Sequence, residues 1–427
     1  MKRSKHSIDK VFEITLKDHA YGGDALGRLP DGRAVFVPFV LPGEKAKIHL
    51  TEKKKDFARG RVLDVIEPSP ARVKPRCPHF MKCGGCHYQH LSYDGQLAAK
   101  AAILKHQLER LGRFETPDVR PAVPSPHPWN YRNHVQFHLS PDGRLGFNAH
   151  RSHRVVPIKE CHLPDRAISN LWPRVEPIPH RGIKRLGFRS ATRGAPLVVV
   201  EGDAQACPDR FSALGIQLAQ HRQEEAAILE GEGWTEEKVL DRLFRVSALS
   251  FFQVNTPMAG AMVEHILNHL EIDPGAAILE LYCGVGLFSA FLAPRAARLI
   301  GIESSLSACR DFVFNLREFD NVELRQGSVE DILPDFKEKP DLILADPPRS
   351  GMGKEVLGHV LKLEPKQLIY VSCDPATLAR DARILTSAGY RLEHSTPLDL
   401  FPQTYHIESI SFFGLMGSPR HPRHSWP

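Results

Sequence analysis

Short runs of alternating or clustered β-forming residues fill the first part of the chain. The predicted strands cover residues 11–16, 34–37 and 45–50, and sequences rich in glycine and proline separate them. Regularly spaced short strands of this kind favour a small β-barrel of the OB type. We therefore predict an OB-like barrel over residues 1–68.

The middle of the chain, residues 69–250, has a less regular pattern and is predicted to be an α+β region. Residues 93–111 show the apolar spacing of a helix, and we expect this helix to pack on the domain that follows. Strands are predicted at residues 135–139 and 197–200, where β-branched and aromatic residues cluster.

From about residue 251 the rhythm changes to alternating strands and helices. This alternation is typical of a parallel sheet with helices on both faces. The predicted fold class is therefore α/β, with a Rossmann-like domain over residues 251–415 beside the barrel and the central region. The end of the chain, residues 416–427, carries prolines and basic residues and is predicted to be a disordered tail.

Composition and charge narrow the class of protein. The chain has 427 residues, of which 42% are hydrophobic and 25% charged, and these values exclude a mostly disordered protein. A formal net charge of +6 is compatible with a polyanionic partner. No apolar run reaches the ~18 residues of a membrane span, and no secretory signal is evident. We therefore expect a cytoplasmic protein.

A predicted strand at residues 277–281 runs into a tight turn that carries Gly284 and Gly286. Glycines there let the backbone approach a ligand at the carboxyl end of the strand. The next strand ends at Glu303, whose carboxylate can accept both hydroxyls of a ribose. Ser289 stands where a dinucleotide-binding turn prefers a third glycine, which favours S-adenosylmethionine over NAD.

Two further strands end in residues suited to chemistry on a pyrimidine. Asp346 follows the fourth strand, and Cys373 follows the fifth, directly before a helix whose N-terminus can stabilise a thiolate. Carbon 5 of a pyrimidine becomes nucleophilic once a thiolate adds at carbon 6, and a general base must later remove the carbon-5 proton. Glu408 is the candidate base, and His406 is its rival.

Eight cysteines in a chain of this length do not indicate a disulfide scaffold. Three of them lie close together and a fourth is the natural partner, so the predicted metal ligands are Cys77, Cys83, Cys86 and Cys161. Their spacing alone fits a structural zinc ion as well as a [4Fe–4S] cluster. Cys207 and Cys309 are interpreted as bystanders.

Two surfaces have the composition of nucleic-acid contacts. The basic edge of the barrel consists of Lys53, Lys54, Lys55, Arg59 and Arg61. A charge run of this kind is more often a solvated face than a binding site. Residues 129–134 mix aromatic and basic groups, so Trp129 and Tyr131 can either stack on unpaired bases or lie in the core.

The motifs at the strand ends closely resemble those of the RNA uridine-5-methyltransferase family, and the resemblance spans nearly the whole chain. The motifs are Gly-Val-Gly at 284–286, Asp-Pro-Pro-Arg-Ser-Gly at 346–351, Ser-Cys-Asp-Pro at 372–375 and Phe-Pro-Gln-Thr-Tyr-His-Ile-Glu at 401–408. The resemblance implies that Cys373 is the nucleophile and that Glu408 accepts the proton. It also implies that the contacts to S-adenosylmethionine are Gln253, Tyr282, Glu303 and Asp346.

The same resemblance covers the four cysteines and implies a [4Fe–4S] cluster. The first 68 residues resemble the TRAM domain, a small RNA-gripping barrel, and this makes the basic edge a predicted phosphate contact. Two positions depart from the pattern. Asp374 stands where many relatives carry Asn, and Leu287 stands where the rRNA-modifying branch often has Asn, so no side-chain contact to the cofactor is expected from Leu287.

We therefore predict transfer of a methyl group from S-adenosylmethionine to carbon 5 of a uridine in RNA. The barrel together with the cluster is most similar to the 23S rRNA branch of the family, so a 23S rRNA loop is the expected substrate and a tRNA uridine the alternative. No membrane and no obligate protein partner are expected. The rival interpretations are a non-catalytic RNA-binding methyltransferase fold and an amine methylase, and Cys373 argues against both.

Overall fold

An N-terminal barrel, a central sheet and a C-terminal α/β sheet make up the fold. The structure, a computed structural model, describes residues 10–175, 182–202, 211–223 and 225–417. The barrel strands are β1 (Val11–His19), β2 (Asp24–Arg28), β3 (Ala34–Pro38), β4 (Lys45–Lys53) and β5 (Phe57–Glu67). They close in the order β1-β2-β3-β5-β4, which confirms the predicted barrel.

Strands β2 and β5 are absent from the sequence prediction. Most of the second half of β5 is exposed, and its register with β4 shifts three times, so its apolar residues show no regular alternation.

Arg59, one of the predicted phosphate contacts, is already engaged within the barrel. Its guanidinium lies near Asp24 and over the ring of Phe36.

Helix α1 (Tyr93–Arg110) belongs structurally to the C-terminal part of the molecule. Leu104 and Leu108 are fully buried in a core that the C-terminal sheet also forms. Lys100 is buried too, and its ammonium pairs with the buried carboxylate of Asp399. Removing one partner of a buried ion pair costs about 3–5 kcal/mol, so this pair fixes α1 firmly against the chain around Asp399.

A seven-stranded sheet forms the middle of the molecule. Its strands are β6 (His134–Leu139), β7 (Leu145–Asn148), β8 (Val155–Pro157), β9 (Ile183–Arg189), β10 (Leu197–Gly202), β11 (Gln217–Arg222) and β12 (Glu225–Glu230). They lie in the order β12-β11-β10-β9-β6-β7-β8, and α2 (Arg166–Leu171) packs on one face. The sequence predicted β6 and β10 alone, because β7 and β8 are very short and β12 has little buried surface.

A hairpin and a helix lead into the last domain. The hairpin consists of β13 (Trp234–Val239) and β14 (Arg242–Ser247), and the helix is α3 (Thr256–Asn268). Phe244 and Val246 of the hairpin lie in the same hydrophobic core as Met258 and Met262 of the helix. The core of the C-terminal domain therefore includes residues that precede position 251.

The C-terminal sheet has the strand order β17-β16-β15-β18-β19-β21-β20. Its strands are β15 (Ala277–Leu281), β16 (Arg298–Glu303), β17 (Val322–Gln326), β18 (Leu342–Ala345), β19 (Gln367–Ser372), β20 (Tyr390–Leu398) and β21 (Glu408–Leu415). The helices between them are α4 (Ser289–Leu292), α5 (Leu306–Asn315), α6 (Val329–Ile332), α7 (Gly353–Leu363) and α8 (Pro375–Ser387). The first five strands are parallel, and β21 pairs antiparallel with both β19 and β20. The predicted α/β class is confirmed.

The proline-rich segment before the central sheet extends the C-terminal sheet. Val119 and Val123 form parallel bridges to Ser395 and Leu398 of β20. At the other end of the chain, residues 416 and 417 form a turn, and the rest of the predicted tail lies outside the described residues. Within the described ranges, no helix has the length and apolar character needed to cross a membrane.

Candidate active site

The carboxyl ends of the parallel strands meet along one edge of the C-terminal sheet. Tyr282 follows β15, Glu303 ends β16, Asp346 follows β18 and Cys373 follows β19. Four of the predicted site residues therefore lie along the edge at which open α/β sheets bind their ligands.

Glu408 reaches the same edge from the opposite direction. It is the first residue of β21, which runs antiparallel to β19 with Ser409 opposite Ser372. One step further along this register, Glu408 lies beside Cys373. Glu408 is only 3% exposed and Cys373 is half-buried, so the carboxyl group is shielded from water while the thiol keeps some access to solvent.

Burial controls the protonation of these groups. It raises the pKa of Asp346, and it raises the pKa of Glu408 well above its usual range, with the neighbouring Asp346 adding to the effect. Burial, followed by the charges of Glu408 and Asp346, raises the pKa of the Cys373 thiol to about 12. The RNA-free protein therefore holds Cys373 as a thiol at neutral pH.

The predicted stabilisation of a Cys373 thiolate by the helix N-terminus is therefore wrong for this state. Asp374 caps α8, and its Oδ1 accepts hydrogen bonds from the N–H groups of Ala376 and Thr377, both at 3.0 Å. These donors are already bonded to a carboxylate, so they do not serve the sulfur. The Asp374 charge itself also raises the pKa of Cys373.

His406, the rival base, has a basic group as its partner. The Arg349 guanidinium donates to His406 Nδ1 at 2.9 Å. Burial, followed by the charge of Arg349, lowers the pKa of His406 to about 3. The ring is neutral and its Nδ1 lone pair is occupied, whereas Glu408 lies next to the thiol.

The glycine turn after β15 brings backbone and carboxylate together. Gly286 has φ +88°, and a Cβ there would lie 2.2 Å from Leu316 Cδ1, so this position requires glycine. The Glu303 carboxylate accepts hydrogen bonds from Gly284 N at 2.9 Å and from Ser305 N at 2.7 Å. The predicted cofactor carboxylate is thus held directly beside the turn.

Tyr282 and Gln253 are the remaining predicted cofactor contacts. Tyr282 adopts φ +61°, and its hydroxyl is buried near the Glu330 carboxylate. Ser289 donates to the buried Glu280, so the residue in the third-glycine position serves as an internal polar contact. Gln253 is buried, and its backbone carbonyl accepts from Asn133 Nδ2 at 3.0 Å.

The loop that precedes Glu408, residues 399–407, is anchored by elements from the N-terminal half. Gln403 exchanges two hydrogen bonds with the buried side chain of Gln96 on α1, at 2.9 and 3.1 Å. The Gln403 carbonyl also accepts from the backbone N–H groups of His87 and Tyr88. The role of Gln96 was not predicted, because a contact between residues some 300 positions apart leaves no local pattern in the sequence.

The barrel contacts the catalytic edge through Tyr21, in the turn between β1 and β2. The Tyr21 hydroxyl donates to Asp374 Oδ2 at 3.0 Å, next to Cys373 in the chain. Its ring also packs edge-on against Tyr405, with centroids 5.9 Å apart. The glycine-rich turn after Tyr21 predicted a loop of the barrel, but it gave no indication of the contact with Asp374.

The four predicted metal ligands line one cavity of about 510 Å³. All four are free cysteines, and they are Cys77, Cys83, Cys86 and Cys161. Burial raises the pKa of each thiol, and the charges of neighbouring cysteines add to this for Cys83, Cys86 and Cys161. Cys309 lies apart, with its thiol against the backbone carbonyl of Glu303, and Cys207 falls outside the described residues.

Tyr131 belongs to the core, not to a base-stacking surface. It is 4% exposed, and its hydroxyl donates to the carbonyl of Pro402. Trp129 is half-buried, with the Arg76 guanidinium 5.5 Å from its ring. A more exposed aromatic residue, which was not predicted as an RNA contact, is Phe251: it is 68% exposed and lines the cysteine cavity.

Known proteins match this chain along its length. A family model described as tRNA (Uracil-5-)-methyltransferase matches residues 204–414, and the TRAM domain model matches residues 8–63. An uncharacterised RNA methyltransferase of Halalkalibacterium halodurans is 33% identical over 97% of this chain and 100% of its own length. This chain belongs to the RNA uracil-5-methyltransferase family.

Two further matches agree with this membership. An uncharacterised RNA methyltransferase of Gloeobacter violaceus is 34% identical over 92% of this chain and 94% of its own. The crystal structure of the Pyrococcus abyssi tRNA (uracil-54, C5)-methyltransferase in complex with S-adenosyl-L-homocysteine has a TM-score of 0.74 at 25% identity, covering 94% of this chain and 99% of that chain. This member of the family is thus an S-adenosylmethionine-dependent RNA methyltransferase with a TRAM domain.

The raised pKa of Cys373 predicts how its alkylation depends on pH. Because the nucleophile is the thiolate and the thiol pKa is about 12, the rate of modification by iodoacetamide should still be rising at about pH 10. The Glu408→Gln variant removes a neighbouring negative charge, so its rate profile should shift to lower pH. Mass spectrometry of the peptide that contains Cys373, in RNA-free protein, measures both.

Glu355→Gln, which changes an exposed carboxylate on α7, serves as the matched control and should leave the profile unchanged. A wild-type rate that levels off below about pH 8 would show that the thiolate is stabilised in the free protein, contrary to this description of the site.

Proposed function

We propose that this enzyme methylates carbon 5 of a uridine in RNA, with Cys373 as the nucleophile and Glu408 as the general base. The observation that carries the proposal is the β19–β21 register, which brings a thiol beside a buried carboxyl group at the ligand-binding edge. Methyl transfer to a nitrogen needs no covalent nucleophile, whereas methylation of carbon 5 needs both a nucleophile and a base.

The proposed reaction begins at Cys373. The Cys373 thiol and the Glu408 carboxyl group each release a proton to solvent, and the Cys373 sulfur then forms a bond to carbon 6. The electron pair of the 5,6 double bond moves into the ring as an enolate, and carbon 5 then forms a bond to the methyl group while the bond between that group and its donor sulfur breaks. Glu408 removes the carbon-5 proton, the carbon–sulfur bond breaks, the double bond re-forms and the Cys373 thiolate is released.

Gln253, Tyr282, Glu303 and Asp346 are proposed to hold S-adenosylmethionine. The Tyr282 hydroxyl and the Glu303 carboxylate beside the glycine turn fit a ligand that carries ribose hydroxyls. When bound, S-adenosylmethionine supplies a methyl group on a positively charged sulfur. A positive charge at this edge, together with Arg349, favours the ionised forms of Cys373 and Glu408 that the reaction requires.

We further propose that the four cysteines bind a [4Fe–4S] cluster. One tetrahedral zinc ion at about 2.3 Å from each sulfur would bring the sulfurs to about 3.8 Å from one another. In the described part of the chain, three ligand atoms within 4.8 Å of one another occur at a group of histidines and not at these cysteines. The four thiols around this cavity are therefore spaced more widely than one zinc ion requires, and this spacing supports a larger metal centre such as an iron–sulfur cluster.

The proposed role of the cluster is structural. His87 and Tyr88 follow the ligand Cys86 directly, and their N–H groups bind the Gln403 carbonyl in the loop before Glu408. The cluster loop therefore holds part of the catalytic loop. Methyl transfer itself needs no electron transfer.

The proposed substrate is a uridine in a loop of 23S rRNA, in the cytoplasm. The target base must leave its stack to reach Cys373, which a loop permits at lower cost than a perfect helix. A tRNA uridine is the second candidate, because the matching family model and the P. abyssi enzyme are both named for tRNA. The choice of 23S rRNA depends on the combination of a TRAM barrel with the proposed cluster.

Transfer of labelled methyl groups tests the function. Unmodified 23S rRNA and unmodified tRNA are incubated separately with the enzyme and labelled S-adenosylmethionine, and the product nucleosides are analysed. We expect label in 5-methyluridine from the 23S rRNA pool, and none with Cys373→Ala. Label in the tRNA pool alone would assign the tRNA substrate, and label in a nucleoside other than 5-methyluridine would contradict the proposed chemistry.

Iron content tests the cluster. Protein reconstituted anaerobically should bind about four iron atoms per chain, with the visible absorption of an iron–sulfur centre. Cys86→Ser should lose both the iron and the absorption, whereas the matched variant Cys309→Ser should retain them. Stoichiometric zinc without iron in the wild-type protein, or equal iron in the two variants, would contradict the assignment.

A further inference from the structure

Three histidines converge on the side of the C-terminal sheet, outside the active site. His265 and His269 are one turn apart near the end of α3, and His394 lies on β20. One ring nitrogen from each lies within 4.8 Å of the other two. Two histidines four residues apart on one helix face are a recurrent arrangement for metal binding.

The ring geometry matches that of a shared ion. The ring centroids are 4.3 Å apart for His265 and His269, 5.0 Å for His269 and His394, and 6.3 Å for His265 and His394. Three imidazoles around a tetrahedral zinc ion, each with its nitrogen at about 2.0–2.1 Å, place their centroids about 5 Å apart. No large movement of the backbone is required.

Two of these rings carry buried nitrogens that the protein does not satisfy. His265 Nε2 and His394 Nε2 are buried and have no hydrogen-bond partner among the described residues. His394 is 6% exposed and stacks on Phe412, which fixes its plane. An unsatisfied buried polar atom destabilises the folded protein, and a bound ion would remove this cost.

Hydrogen bonds fix the orientation and the tautomer of the His269 ring. Its Nδ1 faces the His265 carbonyl at 2.8 Å, and a carbonyl can only accept, so Nδ1 carries the proton. Its Nε2 therefore presents a lone pair, which receives the Arg120 guanidinium at 2.6 Å. A positive group thus already occupies the Nε2 lone pair of His269.

We propose that His265, His269 and His394 bind one divalent transition-metal ion, with zinc as the expected occupant, after the Arg120 side chain moves aside. Neutral imidazoles prefer zinc, nickel or copper to magnesium, which takes oxygen ligands. Arg120 is half-buried, so its side chain can turn towards solvent. The ion binds the end of α3 to β20, the strand that leads into the loop before Glu408.

Zinc binding to untagged protein with its cysteine-bound centre assembled tests the site. We expect one further zinc ion per chain by isothermal titration, no competition from magnesium, and a rise in the unfolding midpoint. Cobalt in place of zinc should give a visible spectrum without a thiolate charge-transfer band, which separates this site from the cysteines.

Variants identify the ligands. His269→Gln and His394→Gln should bind zinc more than about tenfold more weakly, while His106→Gln, an exposed histidine on α1, should bind as the wild type does. Arg120→Gln removes the competing cation and should bind about tenfold more tightly, a gain that a misfolded variant cannot show. Equal affinity in the His394→Gln and His106→Gln variants, or no gain in Arg120→Gln, would overturn the proposal.

Discussion

The pairing of β19 with β21 is the contact on which the active edge depends. It sets Ser372 opposite Ser409, and so brings Cys373 beside Glu408 from two distant parts of the chain. A shift of one residue would turn every side chain of β21 to the other face, and Glu408 would leave the thiol. Burial at this pair raises the pKa of both groups, so the site begins with its protons in place.

The rest of the molecule holds this edge in position. The buried Lys100–Asp399 pair and the hydrogen bonds between Gln96 and Gln403 fasten α1 to the loop before Glu408. From the barrel, the Tyr21 hydroxyl reaches Asp374, which caps the helix after Cys373. The hydrogen bond between Tyr21 and Asp374 thus links the TRAM barrel to the residue that directly follows the nucleophile.

The sequence alone predicted those features of the fold and the site that a local pattern of residues encodes. The regular alternation of strands and helices gave the α/β class, and the carboxyl ends of its strands located Glu303, Asp346 and Cys373. What it could not predict depends on contacts made by folding. The raised pKa of Cys373 comes from burial and from neighbours on other strands, and the burial of Tyr131 comes from packing against Pro402.

The most direct test of the central claim is the covalent state of Glu408→Gln. This variant keeps the nucleophile but lacks the base, so with RNA and S-adenosylmethionine it should accumulate a denaturant-resistant RNA adduct. Peptide mapping should place the methylated nucleotide on Cys373. Full turnover by this variant, or an adduct on any residue other than Cys373, would contradict the account.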